Sequence, residues 1–234
     1  MSKKFKKYLS VLLATVLATG CLSAVVAFAD DSVALNEMNF PDANFRAYLS
    51  ENVDTDGNGV LSVEERDNHP IISVANRGIT TLKGIEYFPN LKNLSCSKNP
   101  LDKLDVSTLT ELTSLTCMAD GLSELNLHEN NKLQRLNCAN NQLTSLVVLS
   151  DSLTKLDCYV NKLETLDLTS VPNLKSLRCD QNSLKSLDLS NNQSLTSINC
   201  TYNNLTSLDL SKNTSLANVT NAMIGNQSVS LKAN

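Results

Sequence analysis

Apolar residues recur along most of the chain with a period of about 21 residues. Six segments repeat the pattern L-x-C-x-x-N-x-L with small variations, and their third position carries Cys96, Cys117, Cys138, Cys158, Cys179 and Cys200. The spacings are 21, 21, 20, 21 and 21 residues, and the shorter one reflects a one-residue deletion before Leu156. In each segment the alternation predicts a short strand whose Leu and Cys face inward. Repetition at this period predicts stacked coils with a parallel sheet on one face.

A second inward row follows each strand on the opposite side of the coil, at Leu104, Leu125, Leu146, Leu166, Leu187 and Leu208. A cysteine-free copy with Ile72 and Val74 precedes the six segments, and a degenerate copy with Leu216 and Ile224 follows them. We therefore expect about eight coils over residues 71–224. No single coil can bury its apolar edge alone, so stability is expected to come from stacking.

An asparagine follows most of these strands at the turn, at Asn99, Asn141, Asn161, Asn182 and Asn203. An amide side chain both donates and accepts, so each of these residues is expected to bond backbone groups that leave the sheet. Asp120 holds this position in the second coil and interrupts the row.

Six of the seven cysteines lie in the repeats, and six cysteines in a secreted chain would ordinarily suggest disulfides. Cysteines at the repeat period are expected to lie about 4.8 Å apart with parallel side chains, whereas the Cβ atoms of a disulfide lie about 3.8 Å apart. A zinc site is also disfavoured, because no C-x-x-C pair is present and the only histidines are His69 and His128. We predict a row of small, buried, inert thiols.

Before the repeats, residues 54–65 match the 12-residue EF-hand calcium loop. Gly59 stands at the sharp turn of the loop. The predicted calcium ligands are Asp54, Asp56, Asn58, the carbonyl of Val60, Ser62 and Glu65. An acidic surface turn without metal is the alternative. Residues 41–49 predict an entering helix, and Ser62 with Glu65 forms a capping box that opens an exit helix ended by Pro70. EF-hands usually pair, and here only one loop is present.

The segments NFPDANFRAYLSENVDTDGNGVLSVEE and GITTLKGIEYFPNLKNLSCSKNPL resemble secreted bacterial surface proteins. The repeats resemble the leucine-rich repeats of internalins with Cys in one core slot, and the calcium loop resembles a dockerin module. The resemblance implies that the calcium module caps the first coil and shields its apolar edge. The fold class expected is an α/β solenoid, a leucine-rich-repeat stack with a parallel β-sheet on one face and a small α-helical EF-hand cap.

The N-terminus predicts a signal peptide over residues 1–29, with Lys3, Lys4, Lys6 and Lys7, an apolar stretch, and a cleavage site at Ala27-Phe28-Ala29. A membrane anchor and lipidation at Cys21 are the alternatives, and plain secretion is favoured. The expected units are the signal peptide at 1–29, the cap at 30–70, the solenoid at 71–224 and a tail at 225–234. The tail resembles an unfinished strand, so a released protein and a fragment of a longer anchored protein both fit.

The net charge of the chain limits the classes of molecule that it is expected to bind. Removal of residues 1–29 takes away four lysines and leaves 16 basic against 24 acidic residues, a net charge of −8. An acidic chain without a basic cluster is a poor nucleic-acid binder. We expect a monomer with no membrane span in the mature chain and with Ca²⁺ as its only cofactor.

The strand face carries the predicted ligand site, because aromatic residues and arginine dominate interface energies. The candidate residues are Tyr159, Val160, Arg178, Asp180 and Tyr202. A row of aspartates on the back of the coils, at Asp105, Asp167, Asp188 and Asp209, is expected to cap turns rather than bind metal.

We expect a binding or scaffold protein for a protein or glycan ligand at the cell surface. A dockerin-like assembly component is the alternative among binding functions. A glycan-active enzyme is disfavoured, because hydrolysis needs paired carboxylates in a cleft and the acids here recur on an open surface.

Overall fold

The structure, a computed structural model, describes residues 31–216 except residue 102, together with the strands Ala222–Met223 and Ser230–Lys232. The predicted signal peptide, including Cys21, and most of the predicted tail lie outside the described residues. Within the described part of the chain, no helix is both long and apolar enough to cross a lipid bilayer.

A small α-helical cap precedes the repeats. Its elements are β1 (Val33–Ala34), α1 (Ala43–Asn52), β2 (Val60–Leu61) and α2 (Val63–Asp67). Strands β1 and β2 pair in antiparallel fashion. Asp42 caps α1 by accepting a hydrogen bond from the backbone N–H of Phe45. Ser62 and Glu65 form the capping box at the start of α2, as predicted.

The repeats form one parallel sheet of eight strands, in the order β3 to β9 followed by β11. The strands are β3 (Ile71–Ser73), β4 (Asn93–Ser95), β5 (Ser114–Thr116), β6 (Arg135–Asn137), β7 (Lys155–Asp157), β8 (Ser176–Arg178), β9 (Ser197–Asn199) and β11 (Ala222–Met223). Strand β10 (Ser207–Asp209) pairs in parallel with β12 (Ser230–Lys232) on its own. A 3-10 helix at Ile85–Tyr87 lies in the first coil. The predicted solenoid with a parallel sheet is confirmed.

One continuous cluster of buried apolar side chains runs from Val33 in the cap to Leu210 in the solenoid. The six cysteines lie buried inside it, and none is joined in a disulfide, which confirms the predicted row. Burial raises the pKa of Cys138 to about 12 and that of Cys200 to about 11. The thiols therefore remain protonated at neutral pH, and a protonated buried thiol is a poor nucleophile.

Thiol titration is expected to find six reactive equivalents in the denatured chain of residues 30–234 without prior reduction, and almost none in the folded chain. Burial blocks access in the folded state. Cys138→Ser is expected to lower the free energy of unfolding by about 1–3 kcal/mol, because it buries an additional hydroxyl. A pre-reduced sample is the control. Two or fewer reactive thiols in the untreated denatured chain would contradict this arrangement.

The asparagine row bonds the backbone of adjacent coils, as predicted. The Nδ2 of Asn141 donates to the carbonyl oxygens of Cys117 and Cys138, at 2.8 and 3.0 Å. Its Oδ1 accepts from the backbone N–H groups of Asp120 and Leu122, at 3.1 and 3.0 Å. Each such side chain therefore joins the turn of one coil to that of the coil before it.

A second buried asparagine column lies on the back of the coils, and the sequence analysis missed it. The Nδ2 of Asn130 donates to the carbonyls of Val106 and Leu109, both at 3.0 Å. Asn192 and Asn213 make equivalent bonds in later coils. In the short coil Ser150 takes this position, and its hydroxyl lies within hydrogen-bonding distance of two carbonyl oxygens of the preceding coil, to either of which it can donate. The available signal was the spacing of 21 residues between Asn192 and Asn213.

Asp120 is a carboxylate in the first asparagine row, and only 2% of it is exposed. Burial raises its pKa to about 6, although the backbone N–H of Asn99 and the Sγ of Cys96 donate to it, at 2.8 and 3.7 Å. It lacks the amide donor that the other coils use. The second coil therefore carries a buried negative charge at neutral pH.

Asp120→Asn is expected to raise the free energy of unfolding by about 1–2 kcal/mol at pH 7. The folded-state pKa lies above the ordinary 3.8, so ionisation of Asp120 costs stability as pH rises from about 4 to about 6. The gain from the substitution should therefore shrink as pH falls to 4. Urea midpoints at both pH values measure it. Asn141→Asp is the matched control and should lose stability at pH 7, and a gain that is equal at both pH values would refute the buried-charge explanation.

Candidate calcium site and strand-face residues

Three carboxylates converge in the cap. One side-chain oxygen from each of Asp54, Asp56 and Glu65 lies within 4.8 Å of the others. Asp54 and Glu65 are buried, whereas Asp56 is exposed. Among the described residues, no lysine, arginine or histidine forms an ion pair with these groups. The result is a concentrated negative charge made of hard oxygen donors, which fits Ca²⁺.

Hydrogen bonds from backbone N–H groups to side-chain oxygens hold the loop in its conformation. Asp54 accepts hydrogen bonds from the backbone N–H groups of Asn58 and Gly59, at 3.2 and 2.9 Å. The Oδ1 of Asn58 accepts from the N–H of Val60 at 2.7 Å. Gly57 and Gly59 have φ of +70° and +77°, a left-handed conformation that glycine adopts at little cost. These turns fold the oxygen-bearing side chains toward one another.

Glu65 closes the loop from its far end. Its Oε1 accepts from the backbone N–H and hydroxyl of Thr55, at 2.7 and 2.9 Å. Its Oε2 accepts from the backbone N–H and hydroxyl of Ser62, both at 2.9 Å. Burial alone would raise the pKa of Glu65, but these hydrogen bonds outweigh it and lower the pKa to about 2. The carboxylate is therefore ionised at every pH at which calcium would bind.

The structure brings the three predicted carboxylate ligands together, and two of the other predicted ligands hydrogen-bond to them. The Nδ2 of Asn58 donates to Asp56 at 2.8 Å, and the hydroxyl of Ser62 bonds to Glu65. Val60 lies in β2 and is half-buried. Three acidic residues are thus the strongest part of the candidate site.

Strand β1 lies beside the loop, and the sequence analysis did not assign it. Val33 pairs with Leu61 and Ala34 with Val60, and the N–H of Leu35 donates to the carbonyl of Gly59 at 3.0 Å. Val33 and Leu61 are both buried. The edge of the loop strand is therefore covered by a segment of the same chain, which explains how a single loop is supported without a second one.

The cap is bonded to the first coil through Asp42. Its Oδ2 accepts from the backbone N–H and hydroxyl of Thr80, at 2.8 and 3.1 Å, while its Oδ1 caps α1. Burial would raise the pKa of Asp42, but the hydrogen bonds from Thr80 and Phe45 lower it. Tyr48 of α1 accepts from the backbone N–H of Ser73 at 3.2 Å. The cap is thus hydrogen-bonded to the first coil.

On the strand face, three of the five predicted ligand residues come together. The Arg178 guanidinium carbon lies 4.0 Å from the centroid of the Tyr159 ring, and its Nε lies 3.6 Å from the Oδ1 of Asp180. The hydroxyl of Tyr159 lies 3.6 Å from the Sδ of Met118. Asp180 was expected to face outward, but it is only 4% exposed. This expectation was wrong because the carboxylate is buried against the Arg178 side chain.

Val160 and Tyr202 lie in the turn that follows the strands. Their φ values are +53° and +54°, and they share this conformation with the equivalent residues of the other coils, Asn76, Lys98, Ala119, Asn140 and Gln181. A positive φ is strained for a β-branched residue such as Val160. Tyr202 is 58% exposed. Neither makes a hydrogen bond or ring contact with Tyr159 or Arg178 within the described residues.

Three charged residues of the strand face were missed. Arg135 and Lys155 are opposite one another in β6 and β7, and the Nζ of Lys155 lies 3.2 Å from the Oδ2 of Asp157. Asp157 is only 6% exposed. The available signal was that Arg135, Lys155, Asp157 and Arg178 are the only charged residues in strands β3 to β9.

The aspartates on the back of the coils cap their own turns, as predicted. Asp105 accepts from the backbone N–H and hydroxyl of Ser107, at 2.9 and 2.7 Å. Asp167 accepts in the same way from Thr169. Asp188 and Asp209 accept from the N–H of the residue two positions later.

Three solved structures from Listeria monocytogenes are similar to this chain. The functional domain of InlJ, which includes a cysteine ladder, is 25% identical with a TM-score of 0.52, and the match covers 80% of this chain and 56% of that one. The internalin InlF is 21% identical with a TM-score of 0.76, covering 85% and 66%. Internalin C2 is 21% identical with a TM-score of 0.55, covering 88% and 99%. The fold is a leucine-rich-repeat solenoid.

No protein-family model matches the sequence, and no curated protein matches it. The chain spans 56% of the InlJ domain and 66% of InlF. The likeness to these internalins shows the fold of the repeats.

Proposed function

We propose that this protein is a secreted, calcium-stabilised leucine-rich-repeat scaffold whose strand face binds a protein or glycan ligand at the cell surface. The observation that carries the proposal is the contact between Arg178, Tyr159 and Asp180 on a face whose other residues are mostly small and polar. Arginine and tyrosine are the residue types that contribute most to binding energy at interfaces.

Calcium is proposed to act on the cap rather than on the ligand. Three carboxylates without an ion-pair partner among the described residues favour a dication between them. The cap is bonded to the first coil by Asp42 and Tyr48. Calcium that neutralises the negative charge of the loop would therefore stabilise the cap, which shields the end of the stack.

A pull-down with the chain of residues 30–234 tests the binding face. Any partner captured by the unaltered chain should be lost with Tyr159→Ala and Arg178→Ala. It should be retained with Asp167→Asn and Asp188→Asn, which change charge on the back of the same coils. The reverse pattern would place binding on the other side of the solenoid. The same pull-down in calcium and in chelator, at a temperature at which the chain stays folded in both, tests whether binding requires calcium.

A further inference from the structure

Within strands β3 to β9, positively charged residues occur only on three neighbouring strands. We call Arg135, Lys155 and Arg178, on β6, β7 and β8, the cation cluster. All three side chains are exposed, 51% for Lys155 and 45% for Arg178. Strands β3, β4, β5 and β9 carry no charged residue. The chain as a whole has a net charge of −4, so the cation cluster is opposite in sign to the net charge of the protein.

Two members of the cation cluster, Lys155 and Arg178, have buried counter-ions. Asp157 lies against Lys155 and Asp180 against Arg178, and these carboxylates are only 6% and 4% exposed. One oxygen of each, Oδ1, makes no hydrogen bond with the described residues. A ligand that approaches the strand face therefore meets the cations first. The buried carboxylates also hold the cations in place, which lowers the entropy cost of binding.

Arg178 is oriented to bind a carboxylate. Its guanidinium carbon lies 4.0 Å from the centroid of the Tyr159 ring, and its Nε lies 3.6 Å from the Oδ1 of Asp180. Its two terminal nitrogens make no hydrogen bond with the described residues. A guanidinium held in this way can offer two parallel N–H groups to an incoming carboxylate, a geometry that lysine cannot supply.

We propose that the cation cluster binds a short acidic segment of a partner protein, through one or two of its carboxylates. This inference rests on the proposed function and names the chemistry of its ligand. Three adjacent coils span only about 10 Å, which matches a short motif. A long polyanion would extend over strands without charge and would be repelled by the acidic remainder of the chain. One face of the Tyr159 ring is occupied by Arg178, which leaves less ring surface for stacking on a sugar.

The test is to pan a random library of 12-residue peptides against the chain of residues 30–234, and then to measure the affinity of synthetic peptides. Enriched peptides are expected to carry neighbouring Asp or Glu residues. Replacing those residues by Asn or Gln should weaken binding at least about tenfold, the usual effect of losing a hydrogen bond to a charged group. Arg178→Gln should weaken binding by a similar factor. Lys132→Gln and Lys185→Gln are matched controls, because both lysines are exposed off the strand face and pair with glutamates.

The possible outcomes separate this inference from the proposed function. Peptides that lose binding with Tyr159→Ala but carry no acidic residues would overturn the charge inference and leave the strand-face function standing. Peptides or partners that respond only to back-of-coil variants would overturn both. A polyuronic acid that binds at least about tenfold tighter per chain than the best acidic peptide would replace a protein partner with an acidic glycan.

Discussion

Removal of calcium is expected to lower the melting temperature of the chain of residues 30–234 by about 5–10 °C. Binding to the folded state alone adds about 2.7 kcal/mol at a hundred-fold excess over the dissociation constant, and each kcal/mol shifts the melting temperature of a chain of this size by about 2–4 °C. The physical reason is the group of three carboxylates that lack an ion-pair partner among the described residues. Thermal unfolding in calcium and in chelator measures the difference.

Glu65→Gln should abolish the calcium-dependent shift, and Glu64→Gln should preserve it. Both substitutions remove one charge from the same loop, but only Glu65 lies in the carboxylate group. Glu65→Gln also weakens the bonds to Thr55 and Ser62, so the relevant quantity is the shift on adding calcium and not the absolute melting temperature. Equal melting temperatures of the unaltered chain in calcium and chelator would refute the proposal.

The pH dependence of stability in chelator should report the contribution of the Glu65 hydrogen bonds independently of calcium. Its pKa is lowered from an ordinary 4.5 to about 2. A carboxyl whose folded-state pKa is depressed contributes stability above its unfolded value and loses that contribution as pH falls. In chelator, Glu65→Gln should therefore cost most above pH 4.5 and progressively less toward pH 2.

Gly84→Ala is expected to lower the free energy of unfolding by about 2–4 kcal/mol, the combined cost of a strained backbone and an overfilled contact. Gly84 has φ of +103°, and a Cβ there would lie 2.2 Å from the Cδ1 of Phe40 and 2.7 Å from the carbonyl oxygen of Asn39. Phe40 cannot move aside, because it is fully buried and packs edge-on against Phe45 and Tyr87.

Gly121→Ala is the matched control for that substitution. Gly121 also has a positive φ, +81°, but no atom lies within 4 Å of its added Cβ. Its loss should therefore reflect backbone strain alone, about 1 kcal/mol. Urea unfolding of both variants measures the difference. Equal losses would mean that the contact between the cap and the first coil does not carry the expected energy.

Periodic features of this fold could be predicted from the sequence. The inward Leu and Cys positions, the asparagine row and the approach of Asp54, Asp56 and Glu65 to one another each depend on spacing along the chain. Asp120 shows the same logic in reverse, because its place in the row identifies it as a buried side chain that lacks the amide N–H group of the asparagines.

Features that depend on a single long-range contact could not be predicted. Asp42 bonds Thr80 across 38 residues, and nothing periodic marks either residue. The pairing of Val33 with Leu61 depends on a two-residue strand with no pattern of its own. Asp180 was misplaced for a related reason: its position in the repeat indicates exposure, and the long side chain of Arg178 in the strand before it buries it.

The hydrogen bonds between Asp42 and Thr80 affect where the molecule begins to unfold. A stack of repeats frays from its ends, since a terminal coil has a neighbour on only one side. The single carboxylate of Asp42 accepts hydrogen bonds from the N–H and hydroxyl of Thr80 and from the first turn of α1. The first coil therefore cannot unfold without breaking hydrogen bonds to α1, the helix that precedes the calcium loop. Calcium bound in the cap would then slow amide hydrogen exchange most strongly in β3 and β4 and progressively less toward β9, a gradient of protection that starts outside the repeats.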